Sequence, residues 1–191
     1  MIEARRYASS GKRRDVPYGR FRIEGSGRPS SANAIDAISP TDEVEVFEGG
    51  DDLNGWKIIV TRDVIKQMRK LKEEKAPNET GGYLYGGLDE TASEIYIVAA
   101  SPEPPGTNGS PTNLELGPCG RTQFERNIIK KTSSRLSPLG SWHSHPRGAP
   151  TASTKDWFTL AKFRQDDKRY GQPTIIAITG TTGERFYVAA E

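Results

Sequence analysis

The chain contains only two histidines, and they stand one residue apart, His143 and His145 in Ser-Trp-His-Ser-His-Pro. In an extended run, residues i and i+2 project to the same side, so both imidazoles can converge on one ion. Imidazole is a good zinc ligand, and a catalytic zinc typically takes three protein ligands and keeps a fourth position for water. With no further histidine in the chain, the third ligand should be a carboxylate close by. Asp156 is placed for that role, one short loop further on and in the first turn of a helix. His143, His145 and Asp156 with one open position would form a catalytic zinc centre, the set expected of a zinc-dependent hydrolase.

The same residues carry a plainer reading. Ser153-x-x-Asp156 ahead of an apolar run is also a helix-start signature, with Ser153 as cap and an acidic side chain suited to the first turn. Two histidines on a strand can equally be satisfied core residues. Neither pair decides the matter singly; their order and short spacing together favour the metal. Ser153 can do both jobs, its backbone setting the helix while its hydroxyl faces the ion. Cys119 is the only cysteine. It therefore allows no intrachain disulfide and no cysteine-based zinc site, and it lacks the Cys-x-x-Cys pair of a metal deaminase.

Strands and helices of suitable length surround these residues. Lys57–Val60 reads as a short strand, and Thr61 can cap a helix in which Val64, Ile65, Met68 and Leu71 form an amphipathic stripe. Lys70, Lys72 and Lys75 sit near its end, where cations suit the helix dipole, and Ala76-Pro77-Asn78 stops it. Gly82–Gly86 and Glu94–Ala100 are strands joined by a turn at Leu88-Asp89-Glu90-Thr91. Ser101 to Pro118, rich in Pro and Gly, is a long loop of the kind that is often functional. Arg121–Ser134 forms a second helix with Phe124, Ile128 and Ile129 on one face. Leu139–His143 is a strand and Pro146–Ala152 a loop. A third helix runs from Ser153 through Trp157, Leu160, Ala161 and Phe163 to about Asp167. Thr174–Thr179 and Arg185–Ala190 close the chain as a hairpin through Gly180-Thr181-Thr182-Gly183. The order predicts a mixed α/β (α+β) sheet with helices packed on it.

Read together, the segments resemble the JAMM (MPN+) metalloprotease family. His143-Ser144-His145-Pro146, seven residues from Pro146 to Ala152, Ser153, two more and Asp156 match its His-x-His-x(7)-Ser-x(2)-Asp signature without adjustment. Glu79-Thr80-Gly81-Gly82-Tyr83-Leu84-Tyr85-Gly86 matches the family's upstream Glu-x-x-Gly-x-Leu-x-Gly segment. The resemblance spans about residues 56–190 and implies a JAB/MPN-like fold with a cytidine-deaminase-type sheet. It also implies one catalytic Zn2+ on His143, His145 and Asp156. Glu79 would be the general base and later the proton donor to the leaving amine, and Ser153 the donor to the oxyanion. The wording is most similar to prokaryotic JAB-domain peptidases encoded beside ubiquitin-activating-like and ubiquitin-conjugating-like enzymes, some of them in antiviral defence operons. That implies an isopeptidase acting between the C-terminus of a ubiquitin-like protein and its conjugate or tail. The partners would be that protein, its conjugates, and the cognate activating and conjugating enzymes. The Ser101–Pro118 loop is the expected specificity element.

Composition sets the remaining bounds. The net charge of +2 is too small to argue for a nucleic-acid partner. No apolar run of membrane-spanning length and no secretory leader stands out, so a cytoplasmic protein is expected. Residues 1–28 are basic and residues 29–52 acidic, with few large apolar groups in either block. Residues 1–52 thus read as an arm that is poorly ordered or draped on a domain spanning 53–191. Two alternatives to the peptidase stay open. One is a non-catalytic MPN-type scaffold, which would characteristically lack the ligands present here. The other is a DNA-repair-associated branch of the same fold, in which the basic arm would confer salt-dependent DNA affinity.

Overall fold

The computed structural model describes residues 4–7, 13–16, 43–119, 122–132, 136–167 and 173–190. Its elements are β1 (Ala4–Tyr7), β2 (Arg13–Val16), β3 (Val44–Phe47), a 3-10 turn (Asp51–Leu53), β4 (Lys57–Thr61), α1 (Arg62–Lys75), β5 (Gly81–Asp89) and β6 (Glu94–Ala100). There follow β7 (Asn108–Ser110), β8 (Asn113–Glu115), α2 (Gln123–Lys131), β9 (Ser137–Ser144), α3 (Thr154–Asp167), β10 (Thr174–Gly180) and β11 (Gly183–Ala189). Seven strands form one sheet in the order β11-β10-β9-β5-β6-β4-β3, while β1-β2 and β7-β8 are separate two-stranded ribbons. β9 runs parallel to β10 and antiparallel to β5, so the sheet is mixed, as the alternation of elements predicted.

Both faces of the sheet are covered. Ile175 and Ala177 of β10 join the core with Val64, Ile65 and Met68 of α1. Their neighbours Ile176 and Ile178 pack instead with Leu160 of α3. Period-2 alternation along one strand thus assigns the two faces to two helices. α2 lies on the α3 side, where Ile128 meets Tyr85 and Leu136. Trp142 of β9 belongs to the α1 face, which leaves the adjacent His143 to the α3 face. Thr61 stands at the N-cap of α1, but its side chain makes no capping bond. It is the last residue of β4 and is buried there.

Three differences from the sequence reading have physical causes. First, Val44–Phe47, which the charge pattern placed in the N-terminal arm, adds an edge strand to the sheet, antiparallel to β4. Its flanking carboxylates are answered across the strand pair, Glu43 by Arg62 and Glu48 by Lys57, so an acidic stretch becomes a clipped edge. Phe47 also meets Phe186 with ring centroids 4.5 Å apart, and Asp52 pairs with Arg185, so the two edges of a curled sheet approach each other. Second, the Ser101–Pro118 loop contains the β7-β8 ribbon. Third, α2 starts at Gln123 rather than Arg121, because Thr122 and Glu125 form a reciprocal capping box there; its predicted end at Ser134 lies outside the described residues. The rest of residues 1–52, with the basic-arm reading, lies largely outside the described residues. No helix among the described residues is long and apolar enough to cross a membrane.

Candidate metal centre and its cleft

His143 is carried on the last turn-facing stretch of β9, held between Gly81 of β5 and Ile178 of β10. His145 follows just past the strand, its backbone N–H donating to the Thr179 carbonyl at 2.9 Å. Asp156 projects from the first turn of α3. The three side chains meet: His143 Nε2 lies 3.1 Å from His145 Nε2 and 3.2 Å from Asp156 Oδ1. His145 Nε2 stands 3.9 Å from Asp156 Oδ2. All three ligand atoms fall within 4.8 Å of one another. Donors on a tetrahedron about 2.1 Å from a central zinc are about 3.4 Å apart, so these spacings suit that ion.

The chemistry of the donor set points the same way. His145 Nδ1 lies 3.0 Å from the Ala149 carbonyl oxygen, which can only accept. Nδ1 therefore holds a proton, and the neutral ring can offer an Nε2 lone pair to an ion lying toward His143 and the carboxylate. Unprotonated, the three groups are electron-pair donors converging on one point, and a cation between them would take the place of the proton in the His143–Asp156 contact. Asp156 serves two partners with two oxygens. Its Oδ2 accepts from Ser153 N at 2.7 Å and Ser153 Oγ at 2.6 Å, while Oδ1 faces His143. Asp156 N in turn donates to Ser153 Oγ at 3.3 Å. The helix-start reading and the ligand reading of Ser153-x-x-Asp156 are thus one geometry. The Ser153 hydroxyl is engaged with Asp156 here, so an oxyanion role requires it to rotate toward substrate.

Electrostatics distinguish the two carboxylates. Burial works to raise the Asp156 carboxyl, but the hydrogen bond and charge of His143 and the two Ser153 donors outweigh it and hold it far below the ordinary range. Burial raises the Glu79 carboxyl, opposed by the nearby charges of His143 and His145. Asp156 is thereby kept as an anion suited to a metal, and Glu79 is made the better proton acceptor.

Glu79 enters a cleft of about 680 Å³ that also contains His143, His145, Ser153 and Asp156. The glycines behind it act by close approach. A Cβ on Gly82 would collide with the Ser101 carbonyl, and one on Gly86 with that of Tyr96. The Glu-x-x-Gly-x-Leu-x-Gly spacing therefore reflects neighbouring backbones that leave no room for side chains, with Leu84 buried between them.

Sequence reasoning missed the far wall of the cleft. Lys155 reaches from α3 to Asn113 Oδ1 and toward the Leu114 carbonyl, 3.4 Å away, bridging α3 to the β7-β8 ribbon. A lysine on the first turn of a helix carries no signal for such a reach. Ser110-Pro111-Thr112-Asn113 is a turn signal that could have revealed the ribbon.

A mixed sheet with two histidines at a strand end and a carboxylate from the next helix defines a candidate mononuclear metal centre at the foot of a cleft. The chain belongs to the prokaryotic JAB family: residues 61–188 match the model described as prokaryotic homologs of the JAB domain. It is also similar to a protein of Enterobacter hormaechei subsp. hoffmannii (strain UCI 50) named CD-NTase/cGAS isopeptidase. The two are 26% identical over 136 residues, 71% of this chain and 74% of the relative. The solution structure of a protein from Desulfitobacterium hafniense aligns at 17% identity and TM-score 0.40, over 69% of this chain and 88% of that one. That likeness is too loose to bear on function.

Proposed function

We propose that the protein is a zinc-dependent isopeptidase that hydrolyses the amide bond between the C-terminus of a ubiquitin-like protein and its conjugate or tail. The observation that carries this reading is the convergence of three ligand atoms from His143, His145 and Asp156 in the cleft that Glu79 enters. Family membership and the isopeptidase name of the Enterobacter relative support an isopeptide-bond substrate. That name supports a CD-NTase-linked setting for the proposed activity, and work in a cytoplasmic antiviral pathway is part of the same proposal.

Zinc held by His143, His145 and Asp156 would supply a water of lowered pKa and a Lewis acid for the scissile carbonyl. The protein's own residues do the rest. Glu79 takes the proton of the attacking water and returns it to the leaving amine nitrogen. Ser153 Oγ–H donates to the carbonyl oxygen as negative charge develops on it. The β7-β8 ribbon lines the cleft through Asn113, Leu114 and Glu115, and an extended C-terminal tail would lie along it.

The test is hydrolysis of a ubiquitin-like protein joined through its terminal carboxyl to a lysine Nε of a reporter. Wild-type protein with stoichiometric zinc should release both parts. Glu79→Ala should retain the zinc and lose at least about 100-fold in kcat. Full activity in that variant removes Glu79 from the reaction; loss of its zinc makes Glu79 a ligand.

A further inference from the structure

We infer that Ser144, the residue between the two histidines, is a positioning residue that aims the Glu79 base by clamping the backbone of Thr80; this rests on the function proposed above. Ser144 and Thr80 are both fully buried and face each other one step beyond the last paired residues of β5 and β9, Gly81 and His143. In a regular antiparallel ladder this rung would carry two backbone hydrogen bonds or none. Here one bond is backbone, Ser144 N–H to the Thr80 carbonyl at 2.8 Å. The return bond runs from Thr80 N–H to the Ser144 hydroxyl at 3.0 Å. A side-chain oxygen thus replaces a backbone carbonyl at the point where the chain leaves the sheet for Glu79.

Glu79 depends on this clamp because its backbone is what is held. Its N–H donates to the Ser110 carbonyl at 2.8 Å, and its carbonyl is approached so closely by Gly109 that a Cβ there would collide with it. The next N–H along the chain is the one gripped by Ser144. The Glu79 carboxylate itself accepts no hydrogen bond from the described residues. Its direction is therefore inherited from two anchored amides. Thr80 contributes by its main chain alone: its hydroxyl is buried and has no partner among the described residues. Because Ser144 sits between His143 and His145, one strand end fixes the ligand set and the base together. The clamp converts a distant glutamate into a member of the same rigid unit.

Removing the hydroxyl leaves a buried N–H without an acceptor, and Glu79 can then swing away from the reacting atoms. Displacement of a reacting group by about 1 Å can cost 100-fold in rate. Ser144→Ala should therefore keep stoichiometric zinc and a KM near wild type, while kcat falls between about 10- and 100-fold. Amide exchange at Thr80 should accelerate by at least about tenfold in the same variant. Ser144→Thr, which retains the hydroxyl, should restore both readings. Ser144→Cys keeps the volume but offers a weak acceptor, so it should fold as wild type and fall between Ala and Thr in kcat.

A Ser144→Ala or Ser144→Cys protein with wild-type kcat, or with unchanged exchange at Thr80, overturns the inference. So does a loss of kcat that follows loss of zinc. A wild-type protein that hydrolyses no isopeptide sinks the proposed function instead, and the exchange at Thr80 still reads the clamp independently.

Discussion

Ser153 illustrates how much one side chain can hold in this fold. Its hydroxyl donates to the carboxylate of Asp156 and accepts from the Asp156 amide, so it starts α3 and orients a candidate metal ligand at once. Ser153→Ala should cost about 1 kcal/mol of stability as a lost cap. If the hydroxyl also serves the oxyanion, kcat should drop by a further factor of about 100. Zinc stoichiometry measured beside the urea midpoint separates the two: a stability loss with unchanged kcat would leave Ser153 a cap only. At this scale the sequence was informative because ligand chemistry restricts residue types. Two histidines at strand spacing and a carboxylate at a helix start have few other uses together. Ser144 and Lys155 were not legible, since hydroxyls and lysines serve everywhere and only the partner across the fold defines their roles.

The β7-β8 ribbon shows the limit of reading elements from composition. Two three-residue strands among Gly and Pro have no periodicity to detect, yet the ribbon supports the site. The Ser110 carbonyl receives the Glu79 amide, and Tyr83 Oη–H donates to the Gly117 carbonyl at 2.8 Å. Excision of Ser101–Pro118 would thus disturb Glu79, the proposed base, as well as the proposed specificity wall. A narrower change isolates the wall. Lys155→Met keeps the aliphatic stem and removes the bridge to Asn113 and Leu114. Amide exchange across Asn113–Glu115 should speed up, and KM for the isopeptide substrate should rise several-fold while kcat stays within about twofold of wild type. Unchanged KM would show that the wall does not meet substrate. The longer elements were legible to within a few residues because their apolar stripes face α1 or α3 across one sheet. The edge strand Val44–Phe47 was hidden because its neighbours are acidic, and only Arg62 and Lys57 on β4 and α1 explain why acids belong there.

Across the whole molecule, a metal at the candidate site would tie together parts that the sheet alone leaves separate. His143 and His145 belong to the central strand β9 and its exit, whereas Asp156 belongs to α3, which packs on one face through Leu160 and Tyr187. α3 also carries Trp157 and Phe158 exposed at 46% and 72%, so its apolar burial is incomplete. A helix with a thin apolar contact gains most from a ligand bond at its first turn. An ion that binds the folded form alone stabilises it by RT ln(1 + [L]/Kd), about 2.7 kcal/mol at 100 times Kd. For a domain of this size that corresponds to a rise of roughly 5–10 °C in melting temperature. Zinc added to metal-free protein should produce that rise, and exchange in α3 should slow before exchange in β10, which is buried along its whole length. Asp156→Ala should abolish both effects while leaving the metal-free melting temperature within a few degrees of wild type. A zinc-independent melting curve in the wild-type protein would mean that the three donors converge without forming a site.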